Sequence, residues 1–403
     1  MSGDEGSAGA EIAHSSGPVQ RGSLGMTGPP PAAHRLCRPG RQETRACLLV
    51  LGVALSACGG GGGGFEPTPV PTPAPTPVPG PLYTDVAPLR DAAAQAGRLV
   101  GAAVYSSGLA SDATYAGAAG RHFNYLTAEW EMKWDPVQKS PGVFDFSGGD
   151  RIVEFAESRG MRVKGHALVW HGATPKWVEA LSPPELRIAF EDHIRTVAGH
   201  YRRRVYAWDV VNEAIDDSQP GLRSTVFSRG LGPDYVAEAF RLARKADPEA
   251  ELVYNDYGGE GLNRKSNDVY ALVKDLKQRG LVDGVGLQMH ISAASLPAVA
   301  DIQANIQRLA DLGLQVNISE MDVRVKDVAG DAATKLARQR QVYRDVVAAC
   351  VAVPRCEAIT LWGFTDAHSW IDSTFGADDP LLFDEQYRAK PAFFGVEDAF
   401  LRR

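Results

Sequence analysis

The chain has 403 residues and a formal net charge of −7, with both signs interspersed along it, which excludes a basic stripe for nucleic acid and a polybasic membrane patch. Length alone suggests two or three domains, although α/β barrels commonly hold about 250 residues or more in one. The sequence has no phosphate-cradling glycine loop, HExxH or CxxC pair, so nucleotide chemistry and zinc hydrolysis lack their simplest signatures.

The residues before Leu82 differ in character from the rest. Ala46 to Ala57 reads ACLLVLGVALSA behind Arg41 and Arg45, the basic flank and short apolar run of an export signal. The run is too short to remain as a spanning helix. It ends Leu55-Ser56-Ala57-Cys58, which resembles the bacterial lipobox and implies that Cys58 carries lipid and begins the mature protein, a cell-surface or periplasmic lipoprotein; an ordinary cleaved signal with a chance cysteine, and so a secreted protein, is the other reading. Gly59 to Gly64 and the Pro alternation from Pro67 to Pro81 then read as a disordered tether, loose at first and stiffer after. Residues 1–57 are therefore expected to be removed, 58–81 to form anchor and linker, and 82–403 to fold. The polar stretch Met1 to Arg45 is long for a signal, and an initiator at or near Met26 would suit it better; mass analysis of the precursor N-terminus tests this. A glycine after the lipidated cysteine implies, by the usual sorting in diderm bacteria, the outer membrane. Only Cys350 and Cys356 lie in the folded part, and their close spacing suits a disulfide formed after export.

From Leu82 onward apolar strand-like runs alternate with amphipathic helical stretches. Strands are expected at Leu99–Val104, Tyr125–Thr127, Arg162–Leu168, Ala207–Val211, Leu252–Asn255, Gly284–Met289, Gln315–Ser319 and Ala358–Trp362. Continuous apolar runs without alternation indicate strands covered on both faces. Between them, Ser182-Pro183-Pro184-Glu185 opens a helix with Leu186, Phe190, Ile194 and Val197 on one face, and further helices are expected at Asp234–Ala246, Ser266–Arg279, Ile302–Leu312 and Ala333–Val351. Eight strands with helical crossovers make an α/β (β/α)8 TIM barrel, whose site sits at the C-terminal strand ends.

Polar and aromatic residues cluster at those ends: His166 to His171, Asn212-Glu213, Asn255-Asp256-Tyr257, Gln288-Met289-His290, Glu320-Met321-Asp322, then Trp362 and Trp370. Two glutamates at strand ends are what cleavage of a sugar acetal needs, one to protonate the departing oxygen and one to stabilise or attack the anomeric carbon. Five of the seven tryptophans, Trp130, Trp134, Trp170, Trp362 and Trp370, fall at or just beyond strand ends, and indole packs well against sugar C–H faces. Trp134 and Trp177 are expected to serve barrel packing. His166 and His171, five residues apart at a strand end, point to opposite faces and make a weak metal pair.

Glu129-Trp130-Glu131-Met132-Lys133-Trp134, Gly165 to His171, Trp208 to Glu213, Gln288 to His290, Glu320 to Asp322 and Leu361-Trp362-Gly363 resemble the xylanases of glycoside hydrolase family 10 across essentially all of 82–403. The resemblance implies an endo-1,4-β-xylanase on a (β/α)8 barrel that cleaves with retention and without metal or other cofactor. It makes Glu213 the acid/base and Glu320 the nucleophile, about 5 to 5.5 Å apart as retention requires. Asn212 would hold the 2-hydroxyl, so that its loss depresses turnover more than binding, and Asp322 would orient His290, which donates to Glu320. Lys133, His166 and Gln288 would contact the sugar at the cleavage site, Glu129 the next sugar outward, and Tyr257 the leaving-group side. Trp170, Trp362 and Trp370 would line the cleft. Trp130 departs from the family, which generally carries asparagine there, so glycone recognition is expected to shorten or shift toward stacking.

The implied partners are xylan or xylo-oligosaccharides and, through Cys58, a membrane, with no nucleic acid and a monomeric state. Two other readings stand beside this one: a retaining β-glycanase acting on glucan or another glycoside, because pocket contacts and not the carboxyl pair choose the sugar, and a non-catalytic lipoprotein that captures oligosaccharides.

Overall fold

The computed structural model describes residues 79–402. The export signal, Cys58 and most of the linker lie outside the described residues. Nine strands are present among the described ones: β1 Leu99–Val104, β2 Tyr125–Ala128, β3 Arg162–Trp170, β4 Ala207–Asn212, β5 Glu251–Asp256, β6 Gly284–Leu287, β7 His290–Ser292, β8 Gln315–Arg324 and β9 Cys356–Leu361. Every strand but β7 belongs to a closed parallel ring, with β6 paired to β8 and β9 paired to β1. Helices cross between successive ring strands, so the expected (β/α)8 barrel is the fold.

The helices form where the sequence gives them one apolar face and a cap. In the helix Pro183–His200, Leu186, Phe190, Ile194 and Val197 are buried, each worth about 1.5–3 kcal/mol on burial. The Glu185 carboxylate takes the otherwise orphaned Ser182 N–H at 2.9 Å, while Pro183 occupies the first turn, where no N–H partner is needed. The helix Arg264–Gln278 starts two residues before the expected Ser266. Asn263 is its cap, accepting from Ser266 N at 2.8 Å, and an asparagine can end a loop as readily as a serine. Cys350 and Cys356 form a disulfide that ties the end of the helix Ala332–Val351 to the start of β9.

Four departures from the sequence reading place the site. The strand β8 runs five residues past Ser319, and β3 reaches Trp170, so Glu320 and Asp322 stand within a strand and not after it. The strand β6 stops at Leu287 because Gln288 and Met289 leave the ladder, Met289 with φ +67°. The chain then returns as β7, which pairs in parallel with the upper part of β8 and sets His290 opposite Asp322. That partner is why β8 persists above the ring.

Small residues make room inside the barrel. A Cβ on Gly286 would stand 2.1 Å from Asn255 Oδ1 and 2.9 Å from Ser319 Oγ, closer than such atoms approach. Glycine there lets the Asn255 side chain lie across the barrel mouth toward β8.

Candidate active site

Glu213 follows β4 directly and has φ +59°, a left-handed conformation that a non-glycine residue keeps only where its surroundings enforce it. Its N–H donates to Asn255 O at 2.9 Å. Its carboxyl group is surrounded by donors: Oε1 accepts from Asn212 Nδ2 at 3.1 Å and Gln288 Nε2 at 3.0 Å, and Oε2 from Trp170 Nε1 at 2.7 Å. These partners come from β3, β4 and the end of β6. Register explains the grouping, since Trp170 pairs with Asn212 and Asn212 with Asn255 across neighbouring strands.

Glu320 lies deeper, with 4 % of its surface exposed. Oε1 accepts from Asn255 Nδ2 at 2.6 Å, and Oε2 stands 3.2 Å from His290 Nε2. The other ring nitrogen of His290 is 2.7 Å from Asp322 Oδ2, which also accepts from Trp370 Nε1 at 2.8 Å. A carboxylate only accepts, so an imidazole held between two of them carries both protons and is the cation. Burial disfavours that charge, but Asp322 and then Glu320 outweigh it and lift His290 to about 10. Burial likewise pushes Glu320 up, yet His166, the His290 hydrogen bond and Lys133 pull it down to about 2. Glu320 is thus held as an anion in a nearly dry site.

The linkage between these two groups and stability has a definite sign. His290 is raised from its ordinary 6.5, so its contribution is full below pH 6.5 and is lost as pH rises through about 10. Glu320 is depressed from 4.5, so its contribution is full above pH 4.5 and is lost as pH falls toward 2. The melting-temperature gap between wild type and His290→Gln is therefore expected to be widest near pH 5 to 6 and to shrink steadily toward pH 10. A gap that does not change with pH would contradict the ion pair.

The remaining expected residues surround this pair. His166, on β3, is 2.8 Å from Asp209 Oδ2 through Nδ1, and Asp209 also meets Lys164 at 2.8 Å. The same ring nitrogen stands 3.9 Å from Glu320 Oε1, so His166 faces the anion without bonding to it. The Lys133 ammonium lies 4.6 Å from the Trp170 ring centroid, 5.2 Å from Trp130 and 5.6 Å from Trp362, within cation–π range of three indoles. Nearby Glu129 is pushed up to about 7 by burial, Lys133 only partly offsetting it. Trp362 packs edge-on to His166 with centroids 4.9 Å apart, and Trp370 to His290 at the same separation. Tyr257 stands further out, its hydroxyl donating to Asp217 at 2.6 Å and accepting from Arg223.

Trp134 and Trp177 are packing residues, the first buried and stacked on His193 at 3.9 Å, the second bonding Gln138 O. Among the described residues no group of three or more His, Cys, Asp or Glu is arranged to hold a metal ion. Sequence reasoning placed Asn255 at a strand end but gave it no role. It is the hub of the site: Nδ2 donates to Asn212 Oδ1 at 2.8 Å as well as to Glu320, and Oδ1 accepts from Ser319. Asn212, Gln288 and Asn255 thus join both carboxyl groups into one amide lattice. Only the row Asn212–Asn255–Gly286 across β4, β5 and β6 could have signalled this.

Residues 88–399 match the family model described as "Glycosyl hydrolase family 10". Endo-1,4-beta-xylanase B of Thermotoga neapolitana is 41 % identical over 288 residues, covering 70 % of this chain and 82 % of its own. An endo-1,4-beta-xylanase of Agaricus bisporus is 38 % identical, covering 72 % and 87 %. Among solved structures, xylanase 10B from Thermotoga petrophila RKU-1, in complex with xylobiose, superposes with a TM-score of 0.75 at 39 % identity over 79 % of this chain and 98 % of that one.

Proposed function

The chain belongs to glycosyl hydrolase family 10, and from that premise we infer that it is an endo-1,4-β-xylanase, hydrolysing internal bonds of xylan with retention, with Glu320 as nucleophile and Glu213 as acid/base. The observation that carries the assignment of roles is the contrast between the two carboxyl groups. Glu320 is buried and held anionic by an imidazolium, whereas Glu213 is half-buried at the open side of the same amide lattice.

In the first step a Glu320 oxygen forms a bond to the anomeric carbon while the glycosidic C–O bond breaks. The proton of Glu213 passes to the leaving xylosyl oxygen. Covalent bonding spends the Glu320 charge, so Glu213, now unprotonated, faces less negative potential and acts as base. It takes a proton from water as the water oxygen attacks the anomeric carbon and Glu320 departs. Two inversions restore the configuration. Asn212 is positioned for the 2-hydroxyl of the sugar being cleaved, His166, Lys133 and Gln288 for its other hydroxyls, and Trp362 and Trp370 for its faces, with Glu129 outward and Tyr257 on the leaving side. Release of reducing ends from xylan with little from carboxymethylcellulose is the expected result; the reverse preference would mean a glucanase.

Trp130 is 40 % exposed at the mouth, with the Lys133 ammonium beside its ring. An indole there offers a face in place of an amide, so Trp130→Asn is expected to change the lengths of products released from xylo-oligosaccharides. An unchanged product pattern would remove Trp130 from glycone recognition.

We further propose export and attachment to a membrane, the outer one in a diderm cell, through lipid on Cys58. The signal-like run before it and the Cys350–Cys356 disulfide support passage to an oxidising compartment. Radiolabelled palmitate incorporated by wild type and lost in Cys58→Ala would establish the anchor.

A further inference from the structure

We infer that Arg223 is a positioning residue for Glu213, its guanidinium holding the left-handed turn that aims the Glu213 carboxyl group at the leaving oxygen. The chain leaves the barrel after Glu213, makes an excursion closed by the antiparallel bridge Ile215–Leu222, and returns at Arg223, whose N–H donates to Ala214 O at 2.7 Å. The Arg223 side chain then folds back over the start of its own loop. Nε donates to Glu213 O at 3.3 Å, and Nη2 reaches Ile215 O at 3.3 Å, Asp217 Oδ2 at 2.9 Å and Tyr257 OH at 3.2 Å. Nε brings one N–H and Nη2 two, so these four acceptors share three hydrogens along one edge of the planar group, an edge that the single nitrogen of a lysine does not span.

The other side of the same three residues is pinned from β5. Glu213 N donates to Asn255 O, Ala214 N to Tyr254 OH at 3.1 Å, and Ile215 N to Asp256 Oδ2 at 3.3 Å. Lys265 closes the circuit by meeting both Asp256, at 3.0 Å, and Asp217, at 2.6 Å. Peptide N–H groups are therefore held by β5 and peptide carbonyls by Arg223. Left-handed backbone at a side-chain-bearing residue relaxes unless it is held on both flanks. The Glu213 and Ile215 carbonyls depend on one guanidinium, the Ala214 carbonyl between them being held by the Arg223 N–H, and that guanidinium also touches Tyr257 on the leaving-group side.

The inference rests on the xylanase reading, and its test separates aim of the acid from aglycone binding. Aryl β-xylobiosides of one size but different leaving-group acidity are assayed by kcat/KM, which reports the first, bond-breaking step. A phenolate of low basicity leaves without a proton, whereas phenol itself needs one. In Arg223→Ala, kcat/KM for the phenyl xylobioside is expected to fall about 100-fold, the cost of an acid displaced by an ångström. The 2,4-dinitrophenyl xylobioside is expected to lose roughly fivefold or less. Asp217 is 45 % exposed, so Asp217→Asn is expected to keep the fold even if Arg223→Ala does not, and it should show the same leaving-group dependence at smaller size. Equal losses on both substrates, or no loss on the phenyl glycoside, would overturn the role of Arg223 in an active enzyme. A wild type inactive on xylan and on every aryl xylobioside would overturn the xylanase reading and this inference together.

Discussion

Replacing Glu320 by glutamine is expected to lower kcat/KM on xylan by on the order of 10⁴-fold or more while leaving xylobiose bound within a few-fold of wild type. The substitution keeps shape and retains an acceptor for Asn255, which bonds Oε1 at 2.6 Å. What it removes is the charge proposed to form the covalent bond. His290 keeps Asp322 as a partner, so the imidazolium is weakened but not orphaned, and the site should stay folded. Reducing-sugar release that persists above about one hundredth of wild type would remove Glu320 as nucleophile. Complete loss with intact binding would also eliminate a lipoprotein that merely captures oligosaccharides.

The second large effect is expected at Glu213 and has a different signature. General acid catalysis contributes about 10² to 10⁴ in rate, and Glu213→Gln should lose that range in kcat/KM on xylan, whose sugar leaving group needs a proton. On a 2,4-dinitrophenyl xylobioside the loss in kcat/KM should be far smaller. The kcat for that substrate should still fall, because water must be deprotonated to release the sugar from Glu320, and a falling KM would register the accumulating intermediate. Equal loss of kcat/KM on both substrates would assign Glu213 to binding. Glutamine preserves acceptance from Trp170 or Asn212 but must turn its amide toward one of three donors, so some loss by misplacement is built into the measurement. The Arg223 series, in which Glu213 itself is intact, brackets that contribution.

The contrast between Trp134 and Trp130 shows where a sequence is informative. Both stand beyond β2, but Trp134 is buried against His193 and Trp130 is 40 % exposed. The expectation that Trp134 serves barrel packing is met. Nothing local tells whether an exposed indole borders solvent or a cleft. That depends on Lys133, Trp170 and Trp362 converging from three separate strand ends.

Strand order, the barrel and the two glutamates could be read from the linear chain because each rests on short-range chemistry: continuous apolar runs, capping residues and carboxylates placed after them. Asn255 as hub and Arg223 folded over Glu213 could not, and the His290–Asp322 contact is implied only by the family resemblance, without the strand β7 that makes it. Each is a contact between residues separated along the chain, by 65 positions for Asn255 and Glu320 and 32 for His290 and Asp322. Such pairings follow from ladder register and from space left by a glycine such as Gly286, and these exist only once the ring has closed. The sequence by itself determined which acids are present and at which end of the barrel they lie; only the tertiary structure decided that Glu320 is held as an anion, since that depends on which distant cations lie within reach of it.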